Sequence, residues 1–169
     1  MVLLRHARRD DLEHLLQINS ANVPAVGALD ESSLLTLLDW SCTTLVADVD
    51  GRCVGFCVVL PPGTGYQSPN YRYFMDRWSE FRYVDRIAID DAARRRGIGA
   101  AMYREIAARH PMLPLVLEVN VVPPNEGSMR FHLREGFREI ERLETRPGNV
   151  VSLMVRAPAV QRVNYADGS

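Results

Sequence analysis

Apolar and polar positions follow two different periods along the chain, and the changes between them divide it into strands and helices. Short runs rich in β-branched residues predict strands, whereas apolar residues three or four positions apart predict the inner face of a helix. Predicted strands occupy Val2–His6, Thr43–Val49, Arg52–Leu60, Phe81–Ile89, Leu115–Val122, Phe137–Glu144 and Val150–Arg156. Predicted helices begin at Asp10, span Asp30–Trp40 and Gly97–His110, and extend from a cap at Asn125 to Gly136.

Turn and cap residues support these boundaries. Asp10, with Glu13 three residues later, forms a capping-box pattern at the first helix. Asp50-Gly51 predicts a two-residue hairpin between the second and third strands. The order of the elements predicts an α/β (α+β) domain of two or three layers around one mixed central sheet.

Length and charge narrow the class of protein. The 169 residues suit one domain, which we assign to residues 1–156, followed by a weakly ordered tail over residues 157–169. The formal net charge of −1 argues against a general nucleic-acid binder. No apolar run reaches the roughly 18 residues that a membrane helix needs, and the N-terminus does not resemble a secretory signal. We expect a cytoplasmic protein with neither a nucleic-acid nor a membrane partner.

The cysteines and the basic residues argue against a zinc site and against lysine chemistry. Cys42, Cys53 and Cys57 lack a zinc spacing, so reduced core thiols are expected and no metal is. All 20 basic residues are arginine, and a chain without lysine has no Schiff-base lysine.

A turn rich in arginine and glycine follows the strand that ends at Ile89. Arg94, Arg95, Arg96, Gly97, Ile98, Gly99 and Ala100 lead from this turn into a helix. Free N–H groups at a helix start attract phosphate, and glycines allow close approach of the backbone. The turn therefore predicts a pyrophosphate cradle, while a surface arginine cluster capping an ordinary helix is the alternative.

Two familiar phosphate motifs do not fit this turn. A P-loop needs a lysine, which the chain lacks. A dinucleotide fingerprint needs a third glycine where Met102 stands.

A second segment narrows the interpretation. Leu117-Glu118-Val119-Asn120 is followed by Asn125, Ser128, Phe131, His132 and the pair Gly136-Phe137. Together with Arg94-x-x-Gly97-x-Gly99, this order resembles the GNAT superfamily of N-acetyltransferases, in particular a poorly characterised bacterial branch. The resemblance covers residues 1–156.

The resemblance implies a fold and a cofactor. The fold would be a sheet of about seven strands flanked by about four helices, with strand Val84–Ile89 splayed from strand Leu115–Asn120. Acetyl-CoA would lie in that gap, with its pyrophosphate on the Arg94–Ala100 turn. The residues implied along the pantetheine arm are Ile87, Ala88, Ile89, Asn120, Asn125, Ser128 and Phe131.

The resemblance also implies catalytic roles. The Ile87 N–H would donate to the thioester carbonyl. Glu118 is the first choice of base for the amine and Asp85 is the second, although either could instead pair structurally with an arginine. Tyr83 would be a poor base at neutral pH and is assigned to the substrate side.

His132 stands where many family members have a tyrosine acid near the CoA sulfur. Histidine can donate a proton, so the role could survive with different chemistry. The alternative is a packing role beside pantetheine or a contact with substrate.

A connection of about 20 residues, Pro61–Glu80, replaces the short turn usual in the family. We expect it to fold over the acceptor site with residues 21–29, and to contribute Tyr71 and Phe74 to substrate binding. The alternative is an Ω-loop whose aromatic side chains bury one another.

The predicted function is transfer of an acetyl group from acetyl-CoA to an amine of a small molecule or a peptide N-terminus. Two rivals are a catalytically weak acyl-CoA sensor of the same fold and a nucleotide-phosphate enzyme of another fold. Homodimers are common in the family, so a homodimer is possible.

Overall fold

A computed structural model describes residues 1–160 of the chain. It contains seven strands and five α-helices among these residues. The strands are β1 (Val2–His6), β2 (Thr43–Val49), β3 (Arg52–Leu60), β4 (Arg82–Ile89), β5 (Leu115–Val122), β6 (Arg138–Arg146) and β7 (Asn149–Arg156). The helices are α1 (Leu12–Ala21), α2 (Glu31–Trp40), α3 (Pro69–Met75), α4 (Ile98–Arg109) and α5 (Glu126–Arg134).

The strands form one sheet in the order β1-β2-β3-β4-β5-β7-β6. All neighbours are antiparallel except β4 and β5, which run parallel. One buried cluster packs α1, α2 and α3 against one face, and a second packs α4 and α5 against the other. The predicted α/β sheet of about seven strands is confirmed as a three-layer domain.

The predicted gap in the middle of the sheet is present. β4 and β5 pair only at Arg82 with Leu115 and at Tyr83 with Val116. Beyond these two pairs the strands share no ladder, so the rest of the β4 edge is free on that side. The two halves of the sheet are thus joined at one end and open at the other.

A β-bulge lies in β4 beside this opening. Val58 of β3 pairs with Arg86 and Val59 pairs with Val84, which leaves Asp85 as the extra residue. A bulge of this kind shifts the alternation of the backbone groups by one residue. The bulge therefore decides which residues of β4 turn towards β5.

Helix α3 differs from the sequence prediction, which treated residues 61–80 as a loop. Ser68 caps it by accepting the Tyr71 N–H, and Pro69 occupies its first turn. The predicted count of about four helices therefore becomes five.

Two other boundary predictions had different outcomes. The capping box predicted for Asp10 and Glu13 lies earlier in the chain, because the Arg8 N–H donates to Asp11 Oδ2 at 2.7 Å. The hairpin at Asp50 and Gly51 is confirmed, with φ angles of 54° and 82°.

Two remaining predictions concern the C-terminal tail and the cysteines. Of the tail predicted for residues 157–169, residues 161–169 lie outside the described part of the chain. Cys53 and Cys57 are buried free thiols, as expected, whereas Cys42 is exposed.

Candidate active site and cofactor cleft

The arginine-glycine turn forms the start of α4. Gly97 is the N-cap with a φ of 75°, a left-handed conformation that favours glycine. The first bond inside the helix joins the Ala101 N–H to the Gly97 carbonyl at 3.0 Å. The N–H groups of Ile98, Gly99 and Ala100 therefore precede the helical hydrogen bonds and are available to an anion.

The three arginines of the turn have different surroundings. Arg94 donates to the Ile89 carbonyl at 3.3 Å and to Asn22 Oδ1 at 2.6 Å, and pairs with Asp91 at 2.7 Å. Its guanidinium thus ties the turn to the loop after α1. Arg95 and Arg96 are exposed, and their guanidinium groups are the more accessible to a phosphate.

Gly99 allows α5 to approach the turn closely. A Cβ at this position would lie 2.7 Å from Cζ of Phe131, which is closer than real Cβ contacts. The Phe131 ring in turn stacks on Tyr103 of α4, with ring centroids 5.7 Å apart. Phe131 therefore supports the turn from behind.

The hydrogen bonds of β4 show which backbone groups face the gap. The Arg82 N–H bonds to Pro114 on the β5 side, whereas the Asp90 N–H bonds to Val54 of β3. Because backbone groups alternate along a strand, the N–H groups of Asp90 and Ala88 point to β3, and those of Ile89 and Ile87 point to the gap. The bulge at Asp85 reverses this alternation relative to Arg82. This is the arrangement expected for a strand edge that binds an extended arm.

Ala88 does not fit its predicted role in cofactor binding. The same alternation turns its backbone towards β3, where it pairs with Phe56. Its side chain is buried in the cluster beneath α1 and α2. Ala88 is thus a core residue between two residues that face the gap.

Glu118 lies on β5 beside the opening and accepts a hydrogen bond from the Tyr83 hydroxyl at 2.7 Å. Burial, with a smaller contribution from the nearby carboxylate of Asp85, raises the pKa of Glu118 to about 7. The hydrogen bond from Tyr83 and the polar side chain of Asn70 act in the opposite direction. Burial also raises the pKa of Tyr83, so this phenol stays protonated and acts as a donor.

Asp85, the other predicted base, is held in an ion pair. Arg86 Nε lies 2.7 Å from Asp85 Oδ2, and both side chains are almost fully buried. Arg86 also donates to Asn19 Oδ1 at 2.7 Å and to the Gly27 carbonyl at 2.9 Å. The ion pair therefore links the bulge of β4 to α1 and to the loop after it.

His132 is buried between α4, α5 and the start of β6. Its Nδ1 lies 2.8 Å from the Ser128 carbonyl, which can only accept, so Nδ1 carries the proton. Nε2 must then accept from the Tyr103 hydroxyl at 2.7 Å. Burial lowers the pKa of His132 to about 4. The neutral ring thus uses both nitrogens within the protein, which agrees with the packing alternative rather than with a proton donor.

The asparagines predicted near the pantetheine arm order the start of α5. Asn125 Oδ1 accepts the Ser128 N–H at 3.1 Å, and the Asn125 N–H donates to the Asn120 carbonyl at 3.0 Å. Ser128 Oγ lies 3.1 Å from His132 Nδ1. These three residues connect the end of β5 to α5, at one side of the gap.

The residues predicted to contact substrate require a correction. Tyr71 and Phe74 are fully buried, and the Tyr71 hydroxyl donates to the Pro61 carbonyl at 2.6 Å. Their rings pack against Tyr83 and Phe81. Neither side chain is available to a substrate, so the alternative of mutually buried aromatic residues is the one observed.

Sequence reasoning missed three residues near the site. Asn70 and Tyr66, in the segment before β4, interact electrostatically with Glu118 and Asp85, and Tyr103 bonds His132. The Ser68-Pro69 pair, a cap followed by a proline at the first helical position, is the signal that could have placed Asn70 on a helix.

Comparison with known families agrees with this geometry. Residues 12–137 match the model of the acetyltransferase (GNAT) family. The chain belongs to this family. The resemblance seen in the Arg94–Gly99 turn and the Asn125–Phe137 segment is thereby confirmed, and the protein is an acyltransferase by family.

Solved structures of the GNAT fold superpose on nearly the whole chain. Ard1 from Thermoplasma volcanium has a TM-score of 0.75 at 20% identity, covering 93% of this chain and 97% of its own. A putative phosphinothricin N-acetyltransferase has a TM-score of 0.67 at 19% identity, covering 94% and 99%. Naa50 from Arabidopsis thaliana, in complex with the bisubstrate analogue CoA-Ac-MVNAL, has a TM-score of 0.67 at 16% identity, covering 92% and 98%. A search of curated proteins found no significant match.

Two further features of the GNAT domain concern residues 1–160. No helix in this range is long and apolar enough to cross a membrane. Nor does the same range contain a cluster of three or more histidine, cysteine or acidic side chains suited to a metal ion.

Proposed function

We propose that the protein transfers an acetyl group from acetyl-CoA to an amine of a small molecule or of a peptide N-terminus. The observation that carries this proposal is the juxtaposition of the free β4 edge with Glu118, whose pKa of about 7 suits a base at neutral pH. Family membership supports acyl transfer in general. The complex of Naa50 with CoA-Ac-MVNAL supports CoA as the carrier.

The residues around the gap fit the cofactor. The N–H groups of Ile98, Gly99 and Ala100, with Arg95 and Arg96, would hold the pyrophosphate. The backbone of Ile87 and Ile89 would bond the pantetheine arm. The open first turn of α4 and the close packing at Gly99 are the structural features that support this fit. Acetyl-CoA supplies an activated acyl group when bound.

Glu118 is the base that we propose. A carboxylate with a pKa near 7 can take a proton from an ammonium without being fully protonated beforehand. Asp85 is less suitable, because its ion pair with Arg86 already uses its charge. We propose that Asp85 instead raises the proton affinity of Glu118 and orients Arg86. The Ile87 N–H is the proposed donor to the thioester oxygen.

The acceptor is defined here only as an amine. The solved structures of this fold include a putative phosphinothricin N-acetyltransferase and Naa50 in complex with the bisubstrate analogue CoA-Ac-MVNAL. Their identities lie below 25%, so they support the fold and do not select between these two classes.

Thermal shift with acetyl-CoA, CoA, ATP and NAD is the first experiment. We expect stabilisation by CoA compounds alone, because a ligand that binds only the folded state raises the melting temperature. The Gly97→Glu variant, which places a negative charge in the turn, should lose this shift. A response only to ATP or NAD would contradict the proposal.

Turnover is then measured as thiol release from acetyl-CoA with a panel of amines and short peptides. The Glu118→Gln variant should lose at least about 100-fold in kcat at pH 7 while keeping its thermal shift, because general base catalysis contributes factors of this size. Unchanged turnover would remove Glu118 from the role of base.

A second candidate function is a CoA-binding sensor with little catalysis. The observation that favours it is His132, which occupies the position of the usual tyrosine acid but is neutral and fully hydrogen-bonded within the protein. Stabilisation by CoA without thiol release for any amine would support the sensor over the enzyme.

A further inference from the structure

Arg86 carries a buried charge that takes no part in the proposed chemical step. It follows the bulge of β4, and only 7% of its surface is exposed. Its Nε lies 2.7 Å from Asp85 Oδ2, and its Nη1 donates to Asn19 Oδ1 at 2.7 Å and to the Gly27 carbonyl at 2.9 Å. Burying an ion pair costs free energy that a well-packed apolar pair would not cost. The role of Arg86 is therefore to be found in the groups that it holds in place.

Two of these groups are also bonded to each other. Asn19 is fully buried on α1, and its Nδ2 donates to the Gly27 carbonyl at 3.0 Å. The Asn19 amide thus accepts from Arg86 through its oxygen and donates to Gly27 through its nitrogen. Gly27 lies in the loop after α1, which we define as residues 22–27. Its carbonyl is held by side chains from two elements, α1 and β4.

The start of this loop is attached to β4 as well. Asn22 Nδ2 donates to the Ile18 carbonyl at 2.8 Å and to the Ile89 carbonyl at 3.3 Å. Within the loop, the Val26 N–H bonds to the Asn22 carbonyl at 3.1 Å. Most residues of the loop are exposed, so burial of apolar side chains does little to fix it. Polar contacts at its two ends, at Asn22 and at Gly27, determine its path along β4.

The loop lies on the face of the sheet towards which Glu118 points. Ala88 of β4 is buried in the cluster beneath α1 and α2, and side chains alternate across a strand, so Arg86 points to the same face. On β5, Leu117 and Val119 belong to the cluster beneath α4 and α5. Glu118, between them, therefore points to the face that carries α1. An amine that reaches Glu118 from this face passes beside the loop after α1.

We propose that Arg86 is a positioning residue for the acceptor, because it holds the Gly27 carbonyl and so fixes the loop after α1 along the gap before the acceptor binds. The inference rests on the proposed function, in which an amine reaches Glu118. A loop that is already in place does not have to be ordered on binding, and such ordering would reduce affinity. Arg86 should thus contribute to the affinity for the amine, and not to the affinity for acetyl-CoA or to the chemical step.

Two substitutions, the loop variants, weaken this anchor in different ways. Arg86→Lys keeps a positive charge beside the carboxylate partner, but one ammonium cannot reproduce the bonds of a guanidinium to three groups. Asn19→Ala leaves the ion pair intact and removes the second donor to Gly27. Arg5→Lys is the matched control. Arg5 of β1 also pairs with a carboxylate, Asp11, at 2.7 Å, but it ties the other end of α1 to the sheet.

Amide exchange, followed by NMR without ligands, tests the anchor itself. The Val26 N–H should exchange at least about threefold faster in both loop variants than in the wild type, because the loop opens more often. It should keep its wild-type rate in Arg5→Lys. Unchanged exchange at Val26 in both loop variants would overturn the proposal. An equal increase in Arg5→Lys would also overturn it, since general loosening of α1 would then explain the effect.

Steady-state kinetics then test the role in acceptor binding. With an amine that the wild type acetylates, both loop variants should raise the KM for the amine at least about fivefold and leave kcat within about twofold, because the lost contribution acts equally on the ground state and the transition state. The thermal shift with acetyl-CoA should keep its wild-type value. Faster exchange at Val26 with an unchanged KM for the amine would overturn the role in acceptor binding, as would the same rise in KM in Arg5→Lys.

Failure of the proposed function would give a different result. A wild type that shows neither a thermal shift with acetyl-CoA nor thiol release would reject the proposed function, and the role of Arg86 towards an acceptor with it. Transfer by the wild type, with neither loop variant affecting the KM for the amine, would reject the role of Arg86 alone.

Discussion

Glu118 and His132 lie on opposite faces of the sheet, and burial drives each of them towards its neutral form. Burial raises the pKa of Glu118 to about 7 and lowers that of His132 to about 4. The cause is the same, since both charged forms lose hydration. The consequences differ. The pKa of the carboxyl moves into the range that suits a base at neutral pH, whereas the pKa of the imidazole moves below the range that suits an acid.

Glu118→Gln should stabilise the protein at high pH. In the wild type, the unfolded carboxyl ionises from about pH 4.5 whereas the folded one ionises near 7, so the free energy of unfolding falls as the pH rises through this window. The loss amounts to about 3 kcal/mol at most. Urea unfolding of both proteins at pH 4.5 and pH 8 measures the difference. We expect the stability of Glu118→Gln relative to wild type to increase with pH, and a pH-independent difference would contradict the raised pKa.

The His132→Asn variant tests a pH dependence of stability with the opposite sign. The unfolded histidine takes up a proton below about pH 6.5 but the folded one does so only near 4, so the wild type loses stability as the pH falls between these values. The loss is again about 3 kcal/mol at most. The asparagine variant is expected to be less stable than the wild type at pH 7, because it loses the bond to Tyr103. It should nevertheless lose less stability than the wild type on acidification. Parallel stability curves for the two proteins would show that folding does not lower the pKa of His132.

At the scale of elements, the turn after β4 depends on how closely α5 packs behind it. Gly99 leaves room for the Phe131 ring, which is itself held between Tyr103 and His132. The conformation of the turn and the packing of α4 against α5 therefore both depend on the same glycine.

Gly99→Ala should destabilise the protein by about 1 to 3 kcal/mol, because the new methyl group overlaps Phe131. Phe131→Leu removes the overlapping ring atoms. A double-mutant cycle in urea should show that the two changes together cost less than the sum of each alone. Gly97→Ala is the control, since its Cβ would meet nothing within 4 Å and its cost should simply add to that of Phe131→Leu. Additive costs for Gly99 and Phe131 would contradict the packing described.

Most elements were predictable from sequence because their signals are local. Periodicity, the Asp50-Gly51 turn and the Asn125 cap each depend on a few neighbouring residues. The bulge at Asp85 was not predictable, because it is defined by the pairing of β4 with β3, about 25 to 30 residues away in sequence.

The same distinction between local signals and distant contacts applies to the site residues. The Arg94–Gly99 turn could be placed from its own pattern, and Glu118 from its position in a strand motif. Tyr71 and Phe74 were assigned to substrate because aromatic residues in a long connection carry no local sign of burial. Their burial results from a helix packing against distant strands.

At the scale of the whole molecule, the sheet consists of two parts joined at two residue pairs. β1 to β4 form one part, and β5, β7 and β6 form the other. The unpaired edge of β4 leaves backbone groups that a bound ligand could satisfy. Ligand binding in the gap should therefore couple the two parts of the sheet.

Amide hydrogen exchange tests this coupling residue by residue. In the free protein, the N–H groups of Ile87 and Ile89 face the gap and should exchange faster than that of Arg82, which bonds to the Pro114 carbonyl at 2.9 Å. Acetyl-CoA at saturation should slow exchange at Ile87 or Ile89 at least tenfold and leave Arg82 nearly unchanged. The Arg82 amide is the internal control, because it is already hydrogen-bonded in the free protein. Equal slowing at Arg82 would mean that binding stabilises the fold as a whole, whereas slowing at Ile87 or Ile89 alone would show that the ligand completes the open edge of the sheet.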